Sequence, residues 1–446
     1  MGPDVIARAA RRLGWNWASG MAVGLAGGVA LTLVTLSLVD SDAPPKPEPG
    51  TIQVLSGLDV SEGRQRGQLV EQWNQLHPEG PRAQIVEMTG DADEQYSQVR
   101  ATAQDGRSVP AAERVDVYNL DVTWTAEFAE AGHLLELDTD EVDTSGFLPG
   151  PLASGAHDGE QYGLPFNTDA GLLYYRADLI SEPPSTWDEL AAMTEQVLSD
   201  PAIRAAHPEL EAGIALQLAD YEGFSVNLLE WTLAHGGDLG DGETSRVADD
   251  ADTVVALEEL DARFAQPGSA PLILPDALRH KEADSLAAFA AGRTLFLRQW
   301  PYAYRELART DLAECGTAQK SFCVARLPGP GVLGGQNLAV SAYTDQPAAA
   351  VALVEFLTSE RSQQLLFERG GFGATRQVVY RDPVIVREHP YAALLLDAVT
   401  NARARPETAA YQRYSETLRS TLHRALSVPE RADLADLQAR LNEVLE

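Results

Sequence analysis

Basic residues are scarce in this chain. Its 446 residues include 34 Lys and Arg against 66 Asp and Glu, a formal net charge of -32. A surface that grips phosphate needs a net basic footprint, so nucleic acid is excluded as the main partner. Cysteine is scarcer still: Cys315 and Cys323 are the only two, too few for a disulfide scaffold or, by themselves, for a structural zinc site. They close one short loop in an oxidising compartment, or remain two free thiols. The eight histidines are scattered, with no pair at metal-ligand spacing, so no metal site is expected. Also missing are a GxxxxGK[ST] phosphate loop, an HExxH helix, a GxSxG elbow and a GxGxxG turn after the first strand. No enzyme class announces itself, and no cofactor is implied. A carboxylate pair that cleaves a glycosidic bond cannot be picked out among 66 acids, so a secreted carbohydrate hydrolase stays as an alternative reading.

What is present begins with one long uncharged run. Leu13 to Val39 carries no charged residue and follows Arg8, Arg11 and Arg12. At 1.5 Å per residue this is about 40 Å of helix, enough to cross a hydrocarbon core of about 30 Å. The run is longer than the apolar core of a cleaved signal peptide, and SLVDSDAPP offers a poor cleavage site. No Cys follows it, which excludes a lipid-modified N-terminus. The basic side stays in the cytoplasm, so the expectation is a tail over 1–12, a transmembrane signal anchor over 13–39, and everything beyond outside the cell. Gly20, Gly24 and Gly28 repeat at a helix-packing interval. Residues 40–50, with four prolines, read as a stiff linker.

With 44% hydrophobic and 22% charged residues, the rest is a globular body long enough for two or three units. Its first part alternates strand and helix patterns. Thr51 to Leu55 reads as a strand, and a helix with Leu69, Val70, Trp73 and Leu76 on one face stops at His77-Pro78. AQIVEM (83–88) and VDVYNL (115–120) are further strands, with a helical stretch, DEQYSQVRATAQ, between them. That order predicts an α/β fold with a parallel sheet, whose ligands sit beyond the carboxyl ends of the strands. The loop 57–63 and the segment from Asp121 are therefore the turns of interest. TWDELAAMTEQVL reads as a helix capped by Thr186, and SQQLLFERGG as one ended by Gly370-Gly371.

Five ordered motifs then carry a resemblance. VDVYNLDVTWTAEFAEAGHLLEL (115–137), GEQYGLPFNTDAGLLYYRADL (159–179), AFAAGRTLFLRQWPYAY (288–304), LPGPGVLGGQNLAVSAYTDQPAAAVALVEFL (327–357) and ARARPETAAYQRYS (402–415) resemble segments of the extracellular solute-binding proteins of sugar ABC transporters, family 1. The maltose- and trehalose-binding branch is the nearest in pattern. The resemblance implies a two-lobed periplasmic-binding-protein-like fold, with discontinuous lobes joined by a hinge. The solute-binding domain would be 51–446, with lobe 1 at about 51–166 plus 294–345 and lobe 2 at about 167–293 plus 346–446. It also implies a non-enzymatic role: capture of a disaccharide or oligosaccharide for uptake through ABC permease subunits. A ligand-sensing ectodomain with no transport role is the other alternative.

A sugar site needs carboxylates and amides for vicinal hydroxyls, a guanidinium fork and an aromatic platform. The resemblance places such groups at Asp121, directly after a strand, and at Asn167 and Asp169, at the first crossing between lobes. Trp300, before Pro301, would be the platform. Gly335 and Gln336, Arg405, Glu222 and Asp59 complete the expected set. Gln336 departs from relatives that hold an aromatic there, putting a hydrogen-bonding amide where they have a stacking surface.

Overall fold

The computed structural model describes residues 50–446 apart from 60, 62, 89–90, 241, 266–269, 316–320 and 429–431. The expected tail, membrane anchor and all but the last residue of the linker lie outside the described residues. Among the described residues, no helix is long and apolar enough to cross a membrane.

Two five-stranded sheets organise the body. The first runs in the order Ala83–Met88, Ile52–Gly57, Val117–Asp121, Leu333–Val340, Gly163–Ala170. Ile52–Gly57 is parallel to both its neighbours, as the strand-helix alternation predicts. Leu333–Val340 is antiparallel to both of its own, and so completes a mixed sheet. Ile52 through Leu55 are buried without alternation, because helices cover both faces of a sheet built this way. The helix Gln65–Leu76 packs Leu69, Val70 and Trp73 into one core with Ile52 and Val54. It ends at His77 because Pro78 drives the residue before it out of the helical region.

The second sheet runs Ala313–Glu314, Ser321–Arg326, Leu172–Arg176, Thr294–Gln299, Ala212–Ala215. Its main core joins Leu173, Ile214 and Phe296 to Phe224 and to Leu418. Leu418 belongs to the late helix Tyr411–Ser427. Cys315 and Cys323, the latter on strand Ser321–Arg326, are joined in a disulfide with Cα atoms 4.8 Å apart.

The chain changes sheets at abrupt points. Gly171 alone separates the first-sheet strand Gly163–Ala170 from the second-sheet strand Leu172–Arg176. A Cβ at this position would lie 2.3 Å from Glu230 Oε1 and 2.7 Å from Leu327 Cδ1, so any side chain there would have to displace the buried Glu230 carboxylate. Residues 327–332 make the second crossing, from Ser321–Arg326 back to Leu333–Val340. These positions correct the expected lobe boundaries. Thr294–Gln299 was expected in the first lobe, but it hydrogen-bonds to Leu172–Tyr175 and Ala212–Ala215 and so belongs to the second. The helix Pro347–Leu357 was expected in the second lobe, yet Leu353, Val354 and Leu357 share a core with Ile52 and Val54 of the first. A buried apolar strand reads the same whichever sheet it joins, and its pairing partners decide.

Ion pairs also join the two lobes. Asp91 and Asp93 open the first-lobe helix Ala92–Asp105. Lys281, at the start of the second-lobe helix Glu282–Ala290, pairs with Asp91. Arg419, on Tyr411–Ser427, lies 2.7 Å from Asp93 Oδ2.

Candidate functional site

The site grows from strand register. Gln336 pairs across the sheet with Asp121 on one side and Asn167 on the other. Directly opposed residues share a face, so these three side chains form a row across three strands. Gly334 pairs with Asp169, two residues further along the same face. Gly335 holds φ +120°, and a Cβ there would sit 2.3 Å from the carbonyl oxygen of Asn167. Its glycine identity is therefore backbone geometry, a close approach that lets the strand bulge between Gln336 and Asn337.

Asp121 ends its strand and turns the chain, its Oδ1 accepting from the Thr123 amide at 3.0 Å and hydroxyl at 2.8 Å. The same oxygen accepts from Arg405 Nη2 at 2.8 Å. Arg405 Nη1 donates at 2.8 Å to Oε1 of Glu222, the first residue of helix Glu222–Ala234. Tyr411 at 2.7 Å and Ser415 at 2.6 Å also donate to the Glu222 carboxylate. Arg405 thus ties the first sheet to the second lobe. Burial works against its charge, but Asp121 and Glu222 outweigh that and hold its pKa above the ordinary arginine value.

Trp300 follows the second-sheet strand and stands half-buried beside Gly334. A Cβ on Gly334 would meet the indole at 3.1 Å and the Asp169 Cβ at 3.3 Å. The Arg298 guanidinium lies 4.0 Å from the indole centroid and pairs with Glu230 at 2.7 Å, both buried. Glu230 in turn accepts from the Val332 amide of the second crossing, at 3.1 Å. Asp169 Oδ2 accepts from Asn167 Nδ2 at 3.3 Å. Burial, with added repulsion from Asp121, pushes the Asp169 carboxyl up to about 6 despite the opposing pull of Arg66.

Asp59 lies in the loop after the first strand, where its carboxylate accepts from the Ser61 amide at 3.0 Å and the Arg66 amide at 2.8 Å. It holds the entry to helix Gln65–Leu76 and reaches the rest through Arg66. All nine expected residues therefore belong to one connected cluster, fed by both lobes. Beside Arg405 opens a cleft of about 1070 Å³, its mouth included, walled by Val122, Thr123, Ser154, His157, Leu333 and Thr408. Among the described residues, no group of three His, Cys, Asp or Glu is placed to hold a metal ion.

Sequence reasoning missed Arg66, Arg298, Glu230 and Tyr411. Arg66 sits in RQRGQ at a helix start, a pattern that usually marks a solvated face. Glu230 and Arg298 find each other only through the fold. Tyr411 stands inside the late motif and Arg298 inside the third, so these two were within reach.

Comparison with known proteins bears on the whole assembly. The family model for bacterial extracellular solute-binding proteins matches residues 68–392. A probable ABC transporter-binding protein of Deinococcus radiodurans is 30% identical over 319 residues, covering 68% of this chain and 73% of that one. A maltotriose-binding protein of Pyrococcus abyssi is 33% identical over 92 residues, a fifth of each chain. Among solved structures, maltose-bound MalE3 of T. maritima superposes with TM-score 0.75 at 28% identity, covering 89% of this chain and 98% of that one. The GacH receptor of Streptomyces glaucescens shares the fold with TM-score 0.73 at 22% identity, over 89% of this chain and 98% of its own. The fold is therefore the two-lobed α/β fold of the maltose-binding type. The chain belongs to the bacterial extracellular solute-binding protein family, whose members bind a solute and are not enzymes.

Proposed function

We propose that this protein captures a neutral disaccharide or oligosaccharide between its lobes and delivers it to ABC permease subunits. The observation that carries the reading is the Asp121–Arg405–Glu222 chain, at 2.8 Å on both sides, which brings acceptors and donors from both lobes together, with Arg405 on the wall of the cleft. Beside it stand a row of amides and carboxylates and the half-buried face of Trp300. A polyol with apolar ring faces asks for that combination. The names of relatives that bind maltose or maltotriose point the same way. In this reading Asp121, Asn167, Asp169, Gln336, Trp300, Glu222 and Arg405 meet the sugar. Asp59 and Gly335 shape the wall.

The helix 13–39 would hold the domain on the outer face of the cell membrane as an uncleaved anchor, with 40–50 as a spacer. In its host the full-length protein should then stay with membranes through a high-salt wash. A shortened form starting near Asp40 and free in the medium would refute the anchor.

The sugar reading is tested by thermal shift and titration calorimetry of maltose, maltotriose, trehalose and monosaccharides. At one hundred times Kd, binding stabilises by about 2.7 kcal/mol. A flat response to the whole panel would sink the reading. Permease genes adjoining this one would favour transport over sensing.

A further inference from the structure

A buried guanidinium that meets no carboxylate directly is unusual, because burial of an unpaired charge is costly. Arg66 is 6% exposed. Its Nη2 donates to Gln336 Oε1 at 3.0 Å and to Asn167 Oδ1 at 3.4 Å. Its Nη1 reaches Ser56 Oγ at 3.3 Å and the Gly57 carbonyl at 3.5 Å. The rings of Phe372 and Phe166 lie 4.8 Å and 5.7 Å from the guanidinium carbon, so water does not serve it from that side. Every polar partner of its side chain is a neutral oxygen.

Guanidinium donates only, so any amide beside it must present its oxygen. Turning Gln336 or Asn167 over would set N–H against N–H in a buried place, at the cost of an unmet donor. The orientation propagates. With Oδ1 held by Arg66, Asn167 must point Nδ2 away, and that nitrogen donates to Asp169. The Gln336 Nε2 group makes no hydrogen bond among the described residues and, on a part-exposed side chain, stays available to a solute.

We infer that Arg66 is the positioning residue of the binding site: it locks both amide oxygens inward, so that Gln336 offers N–H donors to the solute and Asp169 offers acceptors. The inference deepens the sugar reading and rests on it for the nature of the solute. The solute atom opposite Gln336 is then an acceptor, a ring or glycosidic oxygen or a hydroxyl lone pair. The atom opposite Asp169 is a hydroxyl donor.

Two readouts test this, and one needs no sugar. Melting temperatures are measured for the full chain, R66M, Q336E and the double variant. A carboxylate at 336 is paired when Arg66 is present. In R66M it is an unpaired acid beside Asp121 and Asp169. Q336E should therefore lower Tm by about 1–3 °C more in the R66M background than in the native one. Equal shifts would mean that Arg66 does not hold position 336, and would overturn the inference whatever the protein binds. The second readout is maltose affinity. Q336E, which turns a donor edge into an acceptor, should weaken binding at least about tenfold while remaining folded. R66K, which keeps a donor-only cation, should bind more tightly than R66M. If Q336E binds maltose as well as the native protein, the donor assignment is wrong. If the native protein binds no sugar, the sugar reading falls and the melting cycle still decides the role of Arg66.

Discussion

Two arginines lie buried at this site under opposite regimes. Arg405, between the lobes, ends on two carboxylates, one from each side. Arg66, within the first lobe, ends on neutral oxygens alone. Their pKa directions differ accordingly: Arg405 is held above the ordinary arginine value by its acids, and Arg66 is pulled below it, chiefly by burial. The first arrangement is a tie whose charges cancel locally. The second leaves a positive centre behind the amide row, and its effect is to orient neighbours. A buried cation thus serves as a fastener or as a template depending on what it is given to hold.

Breaking the fastener should have the largest effect. R405M leaves Asp121 and Glu222 without their shared cation and should cost about 3–5 kcal/mol of stability. Calorimetric unfolding measures it, and sugar affinity should fall with it. A change below about 1 kcal/mol would mean that Arg405 is no tie. E222Q retains an acceptor for Tyr411 and should cost less.

The platform comes next. W300A should lower sugar affinity by about 1–3 kcal/mol through lost stacking area, with little change in Tm because the indole is only half-buried. An equal loss in Tm and affinity would make Trp300 a core residue instead.

Asp169 sharpens the contrast through pH. Its carboxyl is raised from 3.8 to about 6 mainly by burial, so the folded form takes up the proton before the unfolded chain does. Stability from this group therefore rises as pH falls from about 7 towards 4. Affinity should move the other way, since a protonated carboxyl is a poorer acceptor. Titrations at pH 7.5 and 5 should show weaker binding at the lower pH, and D169N should flatten both trends. A pH-independent affinity in the native protein would remove Asp169 from the solute contacts.

The smallest effect concerns the ion pairs between lobes. Lys281 is 44% exposed beside Asp91, and Arg419 is 8% exposed beside Asp93. Salt screens exposed charges far more than buried ones. Raising ionic strength should speed sugar release in stopped flow a few-fold, with K281M abolishing most of the dependence and R419M much less.

Much of this was legible in the residues, for identifiable reasons. Asp121 announced itself by following a strand in an α/β pattern, the place where that architecture presents its ligands. Trp300 was marked by the proline after it, and Thr186 by its place before an amphipathic run; its hydroxyl does cap the helix, accepting from the Glu189 amide at 3.1 Å. The sheet membership of Thr294–Gln299 was not legible, because a strand buried at every position carries no record of its neighbours. Nor was Arg66, since its role depends on residues 101 and 270 positions away in the chain. Local pattern reports local structure. Partners brought together by register appear only once the register is known.

The single residue between the sheets has a kinematic consequence. One residue spans at most about 3.6 Å, so Ala170 and Leu172 keep the edges of the two sheets adjacent in every state of the protein. The lobes cannot draw apart along a line; they turn about an axis near Gly171. Asp91 and Asp93, which hold the Lys281 and Arg419 pairs, follow the strand at the sheet edge farthest from Gly163–Ala170, so those pairs lie away from that axis. Distance from the axis becomes leverage. A contact made at the rim therefore acts on the longest lever, whereas a side chain added at Gly171 would press on Glu230 at the pivot itself.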